Sequence, residues 1–187
     1  MRRRLRVIAG AARSVILASA PHRLRPTTDR TREVLFSSLG EVVQGRPFID
    51  LYAGSGAVGV EAVSRGAARC LFVELAAGCV RVIRTNLMRA NMTDRAEIWR
   101  RDVGRAVDDI VAWLAGEPGV IFADPPYADA RAKRVWADLL ADGRVACGTI
   151  FVLEHSVREC LTGLPPPSWQ RRVGETCLSR WERRTNV

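Results

Sequence analysis

The chain has 187 residues, a net charge of +9 and an apolar fraction of 48%. That length supports one domain with a sizeable core and a small appendage, and no Ser/Gly linker or low-complexity tract divides it. No apolar run reaches membrane-spanning length, and Met1-Arg2-Arg3-Arg4 is not followed by the apolar segment of a signal peptide, so a cytoplasmic protein with no membrane partner is expected.

The charge is concentrated at the start. Residues 1–32 hold nine arginines against Asp29, a net +8, residues 171–187 a net +3, and everything between only −2. Arginines used only for solubility would be spread evenly. This concentration, with Lys133 the single lysine, reads as an electrostatic footprint for nucleic acid, because the guanidinium fork suits phosphate contacts and base stacking. Arg2, Arg3, Arg4, Arg6, Arg13, Arg23 and Arg25 are the candidate contacts. A membrane surface is the weaker reading, since the region lacks a strongly amphipathic helix. Residues 5–8 and 15–17 are β-prone runs on either side of Ala9-Gly10-Ala11-Ala12-Arg13-Ser14, which predicts a hairpin with outward arginines. Arg25-Pro26-Thr27-Thr28-Asp29 then opens a helix with Thr27 or Thr28 as N-cap, and Leu35, Leu39 and Val42 form its apolar stripe.

Residues 47–59, Pro-Phe-Ile-Asp-Leu-Tyr-Ala-Gly-Ser-Gly-Ala-Val-Gly, read as strand, glycine-rich turn and helix, the helix ending near Gly66. Gly54, Gly56 and Gly59 match G-x-G-x-x-G, a pattern shared with dinucleotide-binding folds. Two neighbours sharpen it. Asp50, four residues before the first glycine, sets a carboxylate beside the turn, which suits an amino group and discourages a pyrophosphate. Residues 70–73 form the next strand and end in Glu74, at the spacing where an acid grips both hydroxyls of a ribose. A nucleoside with a cationic amino-acid tail fits these groups, and S-adenosylmethionine is such a molecule. Read singly, Glu74 is an ordinary surface acid and Asp50 a cap on the turn; together they favour the ligand.

Val80, Ile83 and Leu87 mark a helix on which Asn86 reads as a packing or surface residue. Residues 97–101 form a third strand leading to Asp102, placed to meet an adenine edge. Val103, Val107, Ile110 and Leu114 recur at helical spacing, and Gly116-Glu117-Pro118-Gly119 turns the chain into a strand over 120–123. That strand delivers Asp124-Pro125-Pro126-Tyr127 at its carboxyl end, where open α/β sheets bind ligands. These residues suit methylation of an exocyclic amine on a flat base, whose lone pair is delocalised into the ring. Asp124 can accept one amine proton and the Pro125 carbonyl the other, drawing the nitrogen toward a tetrahedral shape, while Tyr127 stacks on the base and the prolines stiffen the turn. A bland capped loop is the competing reading.

A helix striped by Ala132, Val135, Trp136 and Leu139 follows, then a strand over 149–153 ending at Glu154-His155, with His155 read as a hydrogen-bonded structural residue. Leu164-Pro165-Pro166-Pro167 forces an extended excursion, and residues 169–173 and 177–181 close the chain as a hairpin around Gly174-Glu175. Strands alternate with helices until this pair, so the fold class is α/β with a mostly parallel sheet and an antiparallel edge. Five scattered cysteines without a C-x-x-C pair, joined only by His22 and His155, point to buried free thiols and no metal.

Asp50-Leu51-Tyr52-Ala53-Gly54-Ser55-Gly56 together with Asp124-Pro125-Pro126-Tyr127 resembles a class I S-adenosylmethionine-dependent methyltransferase of the amino-methylating type. Arg25-Pro26-Thr27-Thr28-Asp29-Arg30-Thr31-Arg32-Glu33 narrows the resemblance to the RsmD family, bacterial methyltransferases acting on N2 of one guanine in 16S ribosomal RNA. The likeness runs from the hairpin to Gly174-Glu175-Thr176 and Trp181-Glu182-Arg183-Arg184. It implies a Rossmann-like seven-stranded sheet with helices on both faces, a basic β-hairpin extension over 1–24, and a methyltransferase domain over 25–187. It also implies a monomer whose substrate is the guanine in the loop of 16S helix 31, within an assembled or nearly assembled small subunit. On that basis Asp50 and the backbone of Ala53, Gly54, Ser55 and Gly56 hold the methionine part of S-adenosylmethionine, Glu74 the ribose, and Asp102 with Leu75 and Val103 the adenine. Where the family has Gly-Arg in the hairpin turn this chain has Ser14-Val15, which bears on the RNA contacts more than on the chemistry. Three other readings stay open: a dinucleotide-dependent oxidoreductase, a DNA amino-methyltransferase, and a non-catalytic RNA-binding assembly factor on the same fold.

Overall fold

The computed structural model describes residues 4–20, 27–126 and 130–184. In chain order these hold α1 (Asp29–Leu39), β1 (Pro47–Leu51), α2 (Ala57–Ser64), β2 (Arg69–Val73), α3 (Ala77–Ala90), β3 (Ala96–Trp99), α4 (Val107–Trp113), β4 (Val120–Ala123), α5 (Ala130–Ala141), β5 (Ile150–Ser156), β6 (Trp169–Val173) and β7 (Thr176–Glu182). The strands form one seven-stranded sheet in the order β3-β2-β1-β4-β5-β7-β6, in which β7 runs antiparallel to both its neighbours and the rest are parallel. It is the Rossmann-like arrangement the sequence predicts.

All five residues of β1 and all four of β4 are buried. Strands covered on both faces read as continuous apolar runs, which is why Phe48-Ile49 and Val120-Ile121-Phe122 stand in the sequence without alternation. The α1, α2 and α3 side chains share one core with Phe48, Phe72 and Phe122. On the opposite face α4 and α5 pack on Ile49, Leu71 and Ile121, with Trp136 edge-on to Phe151 and Trp181. From β1 the chain runs outward through β2 to β3, then returns to β4 on β1's other side. This reversal opens a crevice at the carboxyl ends of β1 and β4.

Two strands differ from expectation. β3 stops at Trp99, because it is an edge strand whose partner β2 ends opposite it at Val73, so Arg100 and Arg101 lie beyond the ladder. β5 continues to Ser156, because its antiparallel pairing with β7 reaches Ser156 opposite Thr176, so Glu154 and His155 sit inside the strand. Cys70, Cys79 and Cys177 are buried free thiols as expected, but Cys147 and Cys160 are exposed, lying in connections outside the helices and strands. Among the described residues no helix is long and apolar enough to cross a membrane.

Among its described residues the N-terminal segment doubles back on itself with one antiparallel bridge, Arg6 to Ile16, flanked by Val7 N–H to Val15 O at 3.0 Å and Leu17 N–H to Leu5 O at 2.9 Å. So short a ribbon is marginal alone. It is held instead by side chains of α2 and α3. The Glu61 carboxylate accepts the Ile8 N–H at 2.7 Å and the Ala9 N–H at 3.0 Å, Ser64 Oγ accepts the Ala12 N–H at 3.0 Å, and Asn86 Oδ1 accepts the Ala18 N–H at 2.7 Å. Gly10 lies so close to α2 that an added Cβ would stand 1.8 Å from the Ser64 carbonyl oxygen. Val7, Ala12 and Leu17 are buried in the shared core, while Arg4, Arg6 and Arg13 are exposed.

Candidate active site

Three adjacent strands end in carboxylates at the crevice. Asp50 is the fourth residue of β1, Glu74 follows β2, and Asp124 follows β4. Between the first two runs the glycine loop. It starts at Tyr52, whose φ of 58° is unusual for a bulky residue, and ends at Gly56, whose left-handed φ of 74° precedes the first turn of α2. Strain at such a position is maintained only where the surroundings enforce it, a feature that concentrates in ligand-binding loops. Gly59 has a different reason to be glycine: a Cβ there would sit 2.3 Å from the Phe72 ring, so its smallness lets α2 lie against β2.

The Asp50 carboxylate is buried beneath this loop and accepts the Gly59 N–H at 2.9 Å. Glu74 bridges two loops, accepting the Gly54 N–H at 2.8 Å with one oxygen and the Ala76 N–H at 2.8 Å with the other. Burial pushes the Asp50 carboxyl well above the ordinary carboxylate range; the Gly59 N–H opposes this, and the negative charges of Asp124 and Glu74 add to it. A cation in the crevice would relieve that mutual repulsion. Leu75, next to Glu74, leaves 60% of its surface exposed, an apolar surface beside a polar pocket. Val103 is buried, and Asp102 is half-buried just beyond the end of β3, where its carbonyl accepts the Arg105 N–H at 3.1 Å. Ala53 is half-buried and Ser55 buried, and the Ala53 carbonyl accepts the Gly56 N–H at 2.7 Å. These groups fit a ribonucleoside with a cationic tail: acids for an ammonium and a diol, backbone groups along the loop, and exposed apolar surface for a ring.

Asp124 extends the β1–β4 ladder, its N–H donating to Leu51 O at 3.4 Å. One carboxylate oxygen accepts the Thr27 hydroxyl at 3.2 Å. Burial lifts this carboxyl to about 7, and the Thr27 hydrogen bond pulls the other way. A carboxylate perturbed this far at a strand end in a crevice is a functional-site feature. Pro125 is half-buried and Pro126 exposed, so the turn faces solvent. Tyr127 lies outside the described residues, as do Arg2, Arg3, Arg23 and Arg25.

Four residues that sequence reasoning did not assign to the site support it. Thr27, one of two N-cap candidates, leaves capping to Thr28, whose Oγ accepts the Thr31 N–H at 3.1 Å, and turns to Asp124 instead. Arg32, counted with the basic footprint, is fully buried and pairs with Asp29 at 2.7 Å and Glu61 at 3.2 Å. Glu61 was legible as a lone charge within the otherwise apolar run of α2. Asn86 is buried and donates to Ser55 O at 2.9 Å and Ala18 O at 3.0 Å, so it joins the glycine loop to the N-terminal segment; its position on the Ile83–Leu87 stripe was the signal. His155 is structural, with Nε2 2.9 Å from Ser179 Oγ, and burial lowers its pKa.

Residues 5–179 match the family described as "Conserved hypothetical protein 95". A putative rRNA methyltransferase, YlbH of Bacillus subtilis (strain 168), is 37% identical over 130 residues, which is 69% of this chain and 70% of that protein. Ribosomal RNA small subunit methyltransferase D of Escherichia coli (strain K12) is 31% identical over 169 residues, covering 88% of this chain and 81% of that one. Among solved structures, a putative methyltransferase, yhhF from Escherichia coli, superposes with a TM-score of 0.78 at 28% identity over 98% of this chain and 99% of that one.

Proposed function

The chain belongs to the conserved hypothetical protein 95 family, the RsmD family, and from that premise we propose that it is an rRNA methyltransferase that moves a methyl group from S-adenosylmethionine to the exocyclic N2 of one guanine in 16S rRNA. The guanine is the one in the loop of helix 31 of the small subunit, and the enzyme acts on it as a cytoplasmic monomer. The observation that carries this reading is Asp124: a perturbed carboxylate ahead of Pro125-Pro126, one strand away from a crevice of acids and backbone groups suited to the cofactor.

When bound, S-adenosylmethionine supplies a methyl group already activated as a sulfonium, so positioning is the main task left to the protein. Asp50 and the loop from Ala53 to Gly56 hold the amino-acid end, Glu74 the ribose, and Asp102, Leu75 and Val103 the adenine. Asp124 accepts one proton of the guanine amine and the Pro125 carbonyl the other, turning the nitrogen lone pair toward the methyl; Tyr127 stacks on the base. Asp124 then takes the proton that the amine loses as transfer completes. Thr27 helps fix the rotamer of that carboxylate through its hydroxyl. The guanine must leave its stack to reach Asp124, which favours a loop nucleotide over a duplex one. Residues 1–24 serve as the RNA-contacting extension of the methyltransferase domain over 25–187, with Arg2, Arg3, Arg4, Arg6, Arg13, Arg23 and Arg25 on the phosphates.

The test is methyl transfer from labelled S-adenosylmethionine to unmodified small subunits, naked 16S rRNA and DNA in parallel, followed by nucleoside analysis. N2-methylguanosine from the subunit is expected. Label in DNA, or in no acceptor despite clear cofactor binding, would reject this acceptor.

A further inference from the structure

We propose that the solvent face of α3 is a second RNA-backbone contact surface, continuous with the N-terminal segment; this rests on the rRNA reading above. α3 carries Arg81, Arg84 and Arg89 and no acidic residue across its 14 positions. All three arginines are exposed, and among the described residues none lies within ion-pair distance of a carboxylate. The other helices differ. α1 carries Asp29 and Glu33 beside its arginines, α4 carries Asp108 and Asp109, and in α5 Lys133 lies 3.9 Å from Glu159.

The surface is joined to the N-terminal segment by direct contacts. Arg89 donates to Ile16 O at 3.5 Å, and one turn earlier Asn86 holds both the N–H and carbonyl of Ala18. Arg6 stands directly across from Ile16 in the antiparallel pair, so the two side chains share a face, and both are exposed. Arg6, Arg89, Arg84 and Arg81 therefore follow one another across one side of the molecule, the last three spread over about 12 Å of helix. Ile16 at 48% and Met88 at 64% exposure lie among them as apolar surface that a ribose or base can cover. A one-signed row of guanidiniums without a carboxylate partner among the described residues, interleaved with apolar patches, is complementary to a phosphate backbone. α3 starts just after Glu74, so a strand lying along it is led to the crevice.

The test compares wild type with R81E/R84E/R89E and with a control of equal charge change toward the opposite edge of the sheet, R158E/R171E/R172E. Binding of a short fluorescein-labelled single-stranded oligoribonucleotide is titrated across a potassium chloride series. The α3 variant is expected to bind at least about tenfold more weakly at low salt, with a log-affinity against log-salt slope flatter by about 2, as for three lost phosphate contacts. The control is expected to keep most of the slope, and both variants to bind S-adenosylhomocysteine like wild type. An unchanged slope in the α3 variant, equal flattening in the control, or no oligoribonucleotide binding by wild type would overturn the proposal. Because this assay needs no methyl transfer, a wild type that binds RNA through α3 yet methylates no subunit would reject the activity and leave the surface standing.

Discussion

Two carboxylates, the fully buried Glu61 and the half-buried Asp124, receive opposite treatment from the fold. Glu61 is fully buried and accepts four donors: the Arg32 guanidinium at 3.2 Å, Arg65 Nε at 2.7 Å, and the Ile8 and Ala9 amides. Among the described residues the Asp124 carboxylate accepts from the Thr27 hydroxyl alone, and its negative charge adds to that of Glu74 in raising the Asp50 carboxyl. The fold invests two cations and two amides in the first anion, whereas burial lifts the second's carboxyl to about 7 against the Thr27 hydroxyl. A carboxylate that only ties elements together is best kept saturated with donors. One that must collect a proton near neutral pH is kept short of partners.

The sharpest way to break this comparison is to remove each acid and read both activity and stability. Asp124→Asn should cut single-turnover methyl transfer by about 10²–10⁴-fold, the usual contribution of a positioned acid–base group, with cofactor affinity within a few-fold of wild type. Its stability should move the other way. Because the folded Asp124 carboxyl is raised above its unfolded value, wild type loses stability as pH rises from about 4 to about 7, and the Asn variant does not share that loss. The melting temperature of the variant should therefore gain on wild type across that window and hold its lead above it. Near-normal turnover, or a variant that melts lower at pH 8, would rule out Asp124 as the undercompensated proton acceptor.

Glu61→Ala should do the reverse. It takes one of two carboxylates from the fully buried Arg32 guanidinium, which keeps Asp29, and leaves two amides of the N-terminal segment without their acceptor; breaking a buried pair from one side costs about 3–5 kcal/mol, and the remaining Asp29 puts this variant at the low end. Urea unfolding should show that loss, while the folded fraction still binds S-adenosylhomocysteine. If the variant were as stable as wild type, Glu61 could not be the anchor of residues 8 and 9.

The same contrast explains what could be read from the chain alone. The β1 run, the glycine turn, the carboxylate near the end of β1 and those after β2 and β4 were legible because each is a local pattern: an apolar run, a fixed spacing, and an acid at or near the end of the run. The contacts that distinguish the two acids are not local. Thr27 and Asp124 lie 97 residues apart, Arg32 and Glu61 lie 29, and Asn86 and Ala18 lie 68, so no spacing rule joins them. Composition counted Arg32 in the basic total of residues 1–32 although it is buried, since charge counting does not separate a buried arginine from an exposed one. What periodicity did offer was Glu61 and Asn86 as polar residues on buried helix faces, positions where a polar group needs partners. The extent of β5 was misjudged for a related reason, because a strand ends where its partner does and the partner is β7, more than twenty residues on.

The finest test of the comparison lies in the Thr27 hydrogen bond to the Asp124 carboxylate. Thr27→Val keeps the shape of the side chain and removes the hydroxyl that favours the ionised carboxylate. Only the ionised form can accept a proton from the amine, so the acidic limb of kcat/KM in wild type should rise through about pH 7 and level above it. A hydrogen bond to a charged group contributes ~1.5 kcal/mol, so in the variant this limb should move up by roughly one pH unit. Well above the limb, rates should recover to within about tenfold of wild type, the remaining deficit reflecting a carboxylate free to choose its rotamer. Thr27→Ser, which restores the hydroxyl, should return the limb to its wild-type position. A uniform loss at every pH with no shift of the limb would mean that Thr27 supports the turn and does not set the charge of Asp124.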